Sequence, residues 1–145
     1  MNPKYLNKLE YNKILDILSA YCKTYIGKDI CFNLMPCIEK EKAQKLLDET
    51  NEAVSLRYKK GTPPLSSIEN INVWLKSLDG NIILSSKALL ELARILKMSR
   101  ELYEYFYSED TVVLNDFPIL KNYFSSLYTN ENIERKIFYT IIDEN

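Results

Sequence analysis

The sequence predicts an all-α fold, a multi-helix bundle of about six or seven helices around one long central helix. Apolar residues recur three and four positions apart along almost the whole chain, which is the spacing of amphipathic helices. Glycine is rare, with 3 among 145 residues, and this argues against a turn-rich β protein. Ser85 to Tyr107 keeps its helical spacing without a Gly or a Pro, so it is predicted to be the central helix.

Length and composition predict one globular domain over residues 1–145. Hydrophobic residues make up 46% and charged residues 27% of the chain, the balance of an ordinary folded protein. The net charge is −1, whereas proteins that bind nucleic acid by themselves usually carry a basic excess. We therefore expect any nucleic-acid contact made by this chain alone to be weak.

The two ends of the chain predict its location and its context. The N-terminus lacks the apolar run of a signal peptide, and no segment reaches the ~18 apolar residues of a membrane span. We therefore expect a cytoplasmic protein that does not enter a membrane. The closing residues "FYTIIDEN" keep an apolar–polar pattern to the end, so the chain is expected to be a fragment of a larger protein.

The first part of the sequence predicts three helices, separated by Gly27 and Pro36 and closed at Gly61. The first covers "YLNKLEYNKILDILSAYCKTY", and Gly27 is expected to stop it or to form a hinge. Its apolar stripe consists of Leu9, Ile14, Ile17, Leu18, Tyr21 and Tyr25. A short helix, "KDICFNLM", follows, and the third runs from Glu39 to Lys60. The stripe predicted for the third helix consists of Ala43, Leu46, Leu47, Thr50, Ala53, Val54 and Arg57.

The second part begins with the prolines of "GTPPLSSIENI", which cannot continue a helix. Ser66 or Ser67 can cap the next helix, "IENINVWLKSLD", and "DGN" predicts a turn. The long helix, of about 22 residues and ~33 Å, carries an alternating three-and-four seam. That seam consists of Leu89, Leu92, Leu96, Ser99, Tyr103 and Phe106. Two shorter helices are predicted in "LNDFPILKNYFSSLY" and "NENIERKIFYTIIDEN", with Glu131 and Glu134 in the first turn of the last one.

Asp48, Glu49 and Glu52 lie within two turns of the third helix and suggest either a carboxylate site or a solvated face. A di-metal helical bundle uses Glu-x-x-His pairs on facing helices, and the chain contains no histidine. Lys45 and Arg57 lie near enough for ordinary surface ion pairs. Because the acids lie mostly off the predicted apolar stripe, the sequence favours the solvated face.

No other pattern predicts catalysis by this chain. Histidine, the commonest general base, is absent, and no phosphate-loop, dinucleotide or nucleophile-elbow motif occurs. Cys22, Cys31 and Cys37 form no C-x-x-C pair and are interpreted as inert thiols. The sequence therefore predicts no catalytic, cofactor-binding or metal-binding residue within residues 1–145.

Arg57, Lys59 and Lys60 form a small basic cluster in "LRYKKG". One interpretation is a favourable interaction of cations with a helix C-terminus; the other is a set of weak phosphate contacts. The tyrosines of "ELYEYFYSED" similarly suggest either a stacking platform for bases or core packing. Since Tyr103 and Phe106 continue the predicted seam, core packing is favoured.

Three stretches, taken in order, resemble a known family: "LEYNKILDILSAYCKTYIGKDICFNLMP", "LLDETNEAVSLRYKKGTPPLSSIENI" and "LSSKALLELARILKMSRELYEYF". The matching elements are Leu9-Glu10-Tyr11, Gly27, Glu49-Thr50-Asn51-Glu52-Ala53 and Pro64-Leu65-Ser66-Ser67-Ile68. Together they resemble the N-terminal region of the second bacterial branch of the MutS family, MutS-two, from about residue 5 to the end. Ser66 and Ser67 stand where the family pattern has two glycines.

The resemblance implies that residues 1–145 are the N-terminal helical core and lever region of a multidomain protein. Full-length members of that family carry a clamp-like insertion, an ABC-type ATPase and usually a C-terminal Smr domain with nuclease activity. The family is linked to suppression of homologous recombination and to rescue of collided ribosomes.

The same resemblance implies where cofactors and partners would bind. ATP and Mg²⁺ would bind outside this chain, in the ATPase domain of a homodimeric parent. The partners would be the clamp and ATPase domains and, through the full-length protein, DNA or the ribosome. A free-standing helical adaptor that binds a protein partner through the Tyr103–Tyr107 surface remains the alternative.

Overall fold

The computed structural model of the chain describes residues 3–72, 74, 76, 80, 83–108 and 115–142. Within them lie seven helices and no strand, so the predicted all-α fold class is confirmed. The helices are α1 (Pro3–Lys8), α2 (Tyr11–Ala20), α3 (Tyr25–Phe32), α4 (Lys40–Lys60), α5 (Ser86–Tyr107), α6 (Pro118–Ser125) and α7 (Glu131–Ile142). Among these residues no helix combines the length and the apolar character needed to cross a bilayer.

The N-terminal segment forms two helices, where the sequence predicted one. The break falls at Glu10, whose backbone is left-handed with a φ of 55°, a conformation that ends regular α-helix. The predicted stripe is also wrong, since Ile14, Ile17 and Leu18 are exposed. Leu15 and Ser19 are the buried residues of α2, so its inner face lies to one side of the predicted stripe.

Gly27 lies inside the first turn of α3 and does not separate two helices, contrary to the prediction. The side chain of Thr24 caps α3 by accepting a hydrogen bond from the Gly27 N–H at 3.0 Å. A Cβ on residue 27 would meet Thr24 Oγ1 at 3.0 Å. The glycine therefore makes room for the cap, and α2 and α3 pack against each other across the short connection.

The predicted limits of α4 and α5 are confirmed. α4 spans Lys40–Lys60 and ends at Gly61, whose φ of 81° favours glycine. α5 spans Ser86–Tyr107, and the side chain of Ser85 caps it by accepting from the Ala88 N–H. Of the helix predicted over 68–79, the structure describes residues 68–72, 74 and 76, which are helical at 72, 74 and 76 but not at 68–71. Residues 79 and 81 of the predicted turn lie outside the described residues.

α7 packs along the central helix α5 more extensively than any other described pair of helices. A two-pronged ion pair joins them, with Arg100 Nη2 and Nε at 2.8 and 3.0 Å from the two Glu134 carboxylate oxygens. Only 5% of the Glu134 side chain is exposed. Glu131 and Glu134 lie in the first turn of α7, as predicted. The ion pair of Glu134 with Arg100 of α5 was not predicted.

The buried cluster joins α4, α5 and α6. Its members are Leu56, Phe106, Phe117 and Leu120, with Tyr105, Tyr107 and Phe124 packed against them. The Phe106 ring stacks on Phe124 with centroids 4.4 Å apart. Core packing is thus confirmed for Phe106, whereas Leu96 is half-buried and Tyr103 is exposed. The predicted α5 seam is therefore only partly enclosed.

Candidate interaction site on helix α4

Glu52, from the acidic group of α4, binds the N-terminus of another helix. One of its carboxylate oxygens accepts hydrogen bonds from the backbone N–H groups of Ile119 and Leu120 at 2.9 and 3.0 Å. The residue before α6, Phe117, provides no side-chain cap, so the first turn of α6 has free N–H groups. Glu52 supplies the missing acceptor and a negative charge at the positive end of the helix.

The other two acids are also engaged. A hydrogen bond with the Glu49 carboxylate raises the pKa of the Tyr123 hydroxyl in α6, because a nearby negative charge opposes ionisation of the phenol. Asp48 accepts a hydrogen bond from Gln44 at 2.8 Å. In the described part of the chain, no three Cys, Asp or Glu side chains lie close enough together to hold a metal ion.

The packed face of α4 is therefore the acidic one, and the prediction of a solvated acidic face is wrong for Glu49 and Glu52. The half-buried or buried positions of α4 are Ala43, Glu49, Glu52, Leu56 and Lys60, and the last four are spaced three or four apart as one face of a helix. The predicted apolar stripe lies roughly 120° round the helix and, apart from half-buried Ala43, is exposed. Leu46, Leu47 and Val54 retain 46, 57 and 48% of their accessible surface.

Lys60 binds the C-terminal end of α5. Its Nζ donates to the carbonyl oxygens of Phe106, Tyr105 and Ser108 at 2.8, 3.2 and 2.5 Å. Tyr105 returns a hydrogen bond from its hydroxyl to the Gly61 carbonyl at 2.8 Å. The interpretation of this cluster as cations at a helix C-terminus thus holds for Lys60, although the helix is α5 and not its own.

The other two predicted phosphate ligands differ in their surroundings. Lys59 Nζ lies 2.7 Å from Asp116 Oδ2 and 5.2 Å from the centre of the Phe117 ring. Arg57 is exposed and makes no ion pair with any described residue. The predicted phosphate contacts at Arg57, Lys59 and Lys60 stay a prediction, and the geometry makes Arg57 the most available of the three.

An apolar groove of about 320 Å³ lies between α4 and the α5–α6 pair. Its α4 wall consists of Thr50, Ala53, Val54 and Arg57 from the exposed stripe, together with buried Leu56. The opposite wall is formed by Tyr105, Leu120 and Phe124, and Pro63 also lines it. The stripe that periodicity marks as apolar is therefore a wall of an open groove.

The contacts of Glu52 and Lys60 could not be predicted from their own neighbourhoods. Both residues bind backbone groups of segments more than forty residues away in sequence. A partial signal exists for Glu52, because "DFP" places Pro118 at a helix start without a Ser, Thr, Asp or Asn immediately before it. The sequence indicates that an acceptor is needed there but does not say which one.

Comparison with curated proteins finds similar chains, although no protein-family model matches. The chain is 35% identical to Endonuclease MutS2 of Ruminiclostridium cellulolyticum over 144 residues. It is 32% identical to the Acetivibrio thermocellus protein and 33% identical to that of Clostridioides difficile, both with the same name. Each match covers 99% of this chain and 18% of the relative.

By its fold, the chain is an all-α protein over the residues that the structure describes. Its sequence matches the N-terminal region of the MutS2 proteins, and the resemblance seen in its motifs is thereby confirmed. The chain spans less than a fifth of the length of these relatives.

Proposed function

We propose that the chain is the non-catalytic helical core and lever region of a MutS2-type ATPase that acts on DNA or on ribosomes. The observation that carries this proposal is the exposed apolar groove of α4, together with the match to 18% of much longer relatives. The relatives are named endonucleases. Nuclease and ATPase activity, with bound ATP and Mg²⁺, is assigned to segments outside residues 1–145.

The amount of exposed surface supports a packing role. The chain exposes 11094 Å², whereas a compact monomer of its 17.0 kDa is expected to expose roughly 7,700 Å². The difference of about 3,400 Å² is well above the roughly 800 Å² that one partner buries in a standard-sized interface. The occupant we assign to the α4 groove is a segment of the clamp or ATPase part of the same full-length protein.

The arrangement of α5 and α7 suits a lever. The ion pair between Arg100 and Glu134 and the hydrogen bond from Ser99 Oγ to the Tyr128 carbonyl at 2.6 Å hold α7 and its preceding loop against α5. Packed helices move between discrete arrangements more readily than they bend. In this proposal α5 transmits the state of the ATPase to the clamp in a homodimeric parent.

The alternative, a free-standing adaptor that binds through the Tyr103–Tyr107 surface, has less support. Phe106 is buried, and the Tyr105 hydroxyl donates a hydrogen bond to the Gly61 carbonyl oxygen. An adaptor would need these rings to face a partner. The gene sequence beyond Asn145 separates the two candidates, because an in-frame ATPase with a phosphate loop supports the lever and a stop codon supports the adaptor.

The packing role is tested by placing a charge in the groove. Val54→Asp should change the unfolding free energy of the isolated chain by no more than about 0.5 kcal/mol, since exposed substitutions are usually tolerated. In the full-length protein it should destabilise by at least about 2 kcal/mol, since the carboxylate would be buried in an apolar interface, and pairing it with Arg57 would bury that charge as well. Ser55→Asp, on the exposed polar side of α4, is the matched control. Equal effects of Val54→Asp in both proteins would contradict the proposal.

The non-catalytic role has a separate test. The purified chain is expected neither to hydrolyse ATP nor to cut DNA or RNA, since it lacks histidine and a phosphate loop. ATPase or nuclease activity that remains with the purified chain and is lost in Glu52→Gln or Asp48→Asn would overturn this part of the proposal.

A further inference from the structure

Two of the three cysteines face each other at the connection between α2 and α3. The Sγ atoms of Cys22 and Cys31 lie 3.2 Å apart, and both residues are free thiols. Cys22 lies two positions beyond the last residue of α2, and Cys31 lies in the last turn of α3. The pair has no part in the packing role proposed above.

The local fold holds these thiols together. Thr24 caps α3 immediately after Cys22, and this fixes the direction in which the chain enters the helix. A Cβ on Gly27 would come within 3.7 Å of Cys22 Cβ, so the turn is tight. α2 and α3 then pack along each other. The sulfur contact is therefore fixed by two helices and a capped turn.

We propose that Cys22 and Cys31 are a site of reversible oxidation, which forms an intramolecular disulfide when the chain meets a peroxide or a small-molecule disulfide. A disulfide requires the two sulfurs to approach to about 2.05 Å. The thiols therefore need to move closer by about 1 Å, which side-chain rotation and a small shift of the turn supply.

The reaction with hydrogen peroxide balances in two steps. The Cys22 thiolate attacks one peroxide oxygen, the O–O bond breaks, and sulfenic acid and water form. The Cys31 sulfur then attacks the Cys22 sulfur, forming the S–S bond and releasing the second water. Two thiols lose two electrons and two protons in total, and one peroxide is reduced to two waters. With an oxidised small-molecule disulfide, a mixed disulfide at Cys22 replaces the sulfenic acid, and Cys31 displaces the small thiol.

The order of attack follows from the surroundings of the two sulfurs. Cys22 is half-buried, whereas Cys31 is buried, so an oxidant reaches Cys22 first. The hydrogen bond with Cys22, followed by burial, raises the pKa of the Cys31 thiol, and this disfavours Cys31 as the first nucleophile. Cys37, whose Sγ contacts the Glu39 carbonyl at 3.5 Å, serves as the internal comparison.

The test uses Cys37→Ser, which leaves only the proposed pair, and treats the folded chain with stoichiometric hydrogen peroxide. We expect a monomer with a mass loss of about 2 Da and no free thiol after denaturation. Dithiothreitol should restore both thiols. Two thiols that stay free, a gain of oxygen atoms without a disulfide, or covalent dimers would each overturn the proposal.

Two further variants show that the pair itself is required. Cys22→Ser and Cys31→Ala each leave Cys37 with one member of the pair, and neither should form an intramolecular disulfide under the same treatment. Circular dichroism before oxidation shows that the helices are retained. If Cys22→Ser forms an intramolecular disulfide as fast as the unaltered chain, the assignment to Cys22 and Cys31 is wrong.

Discussion

At the scale of single residues, the carboxylate of Glu52 stabilises α6 although it belongs to α4. Its hydrogen bonds to the Ile119 and Leu120 amides take the place of a local N-cap. An anion at this position also interacts favourably with the helix dipole. A residue that looks like one member of a surface acidic group is thus a link between two elements.

Glu52→Ala should lower the free energy of unfolding by about 1–3 kcal/mol, because two partly buried amides lose their acceptor. Asp48→Ala, on the exposed side of the same helix, should change it by less than about 0.5 kcal/mol. Urea unfolding followed by circular dichroism measures both values. Similar losses in the two variants would show that Glu52 does not act as a cap.

Glu134 makes the folding stability of the chain fall at acidic pH. Its hydrogen bonds and charge interaction with Arg100 lower the pKa of the Glu134 carboxyl in the folded chain, and the same pairing raises the pKa of Arg100. The stabilisation is therefore complete above the ordinary glutamate pKa of about 4.3. It is lost as the pH falls through the lowered value, because protonation removes the ion pair.

Glu134→Gln should lose about 2–3 kcal/mol of stability at neutral pH, since a buried charge-assisted pair is replaced by a neutral contact. Its stability should also fall less steeply than that of the unaltered chain between about pH 5 and 3. Glu131→Gln, whose i,i+4 pair with Arg135 is exposed, is the control. Unfolding curves measured across that pH range give the free energy of unfolding of each protein as a function of pH. The same pH dependence in all three proteins would contradict the role of Glu134.

At the scale of elements, the sequence predicted α4 and α5 within one residue, because Gly61 and Ser85 are local signals that end and begin a helix. It did not predict which face of α4 packs. The apolar spacing of Leu46, Leu47 and Val54 indicates a helix face that packs against another segment. It does not indicate whether that segment lies within residues 1–145. The break at Glu10 was missed because the apolar spacing continues across it.

Core substitutions in α5 should follow the observed burial and not the predicted seam. Phe106 is 1% exposed, so Phe106→Ala should cost about 3–5 kcal/mol through lost contacts and a cavity. Leu96 is half-buried, and Leu96→Ala should fall at or below the low end of the 2–5 kcal/mol range for core leucines. Chemical unfolding of both variants measures the two losses of stability. A larger loss for Leu96→Ala than for Phe106→Ala would contradict this prediction.

At the scale of the whole molecule, the proposed lever depends on the continuity of α5 between its caps. Leu92→Pro in the full-length protein removes a helical hydrogen bond and kinks the helix. We expect it to uncouple ATP turnover from binding to DNA or ribosomes while nucleotide affinity is unchanged. Leu92→Ala, which keeps the helix, should remain coupled. A folded Leu92→Pro protein with normal coupling would contradict the lever.

Direct binding of nucleic acid is a separate question at this scale. Among the described residues, Lys59 pairs with Asp116 and Lys60 is bound by carbonyl oxygens, whereas Arg57 makes no such contact, so any phosphate contact should depend on Arg57 most. Arg57→Ala should weaken binding evenly across sequences and reduce the slope of log affinity against log salt by about one. Lys60→Ala should instead act mainly through stability, and titrations at several salt concentrations separate the two effects.

The three carbonyl oxygens around Lys60 also affect its chemical reactivity. An acylating reagent must approach the amine nitrogen, which in Lys60 is directed at the end of α5. Lys59, beside it, has an exposed side chain that pairs with Asp116 and lies near the Phe117 ring. Amine labelling of the native chain followed by peptide mass mapping should therefore modify Lys59 well before Lys60, and urea should abolish the difference. The labelling rate of one lysine thus reports whether the C-terminal end of the long helix is still docked on α4.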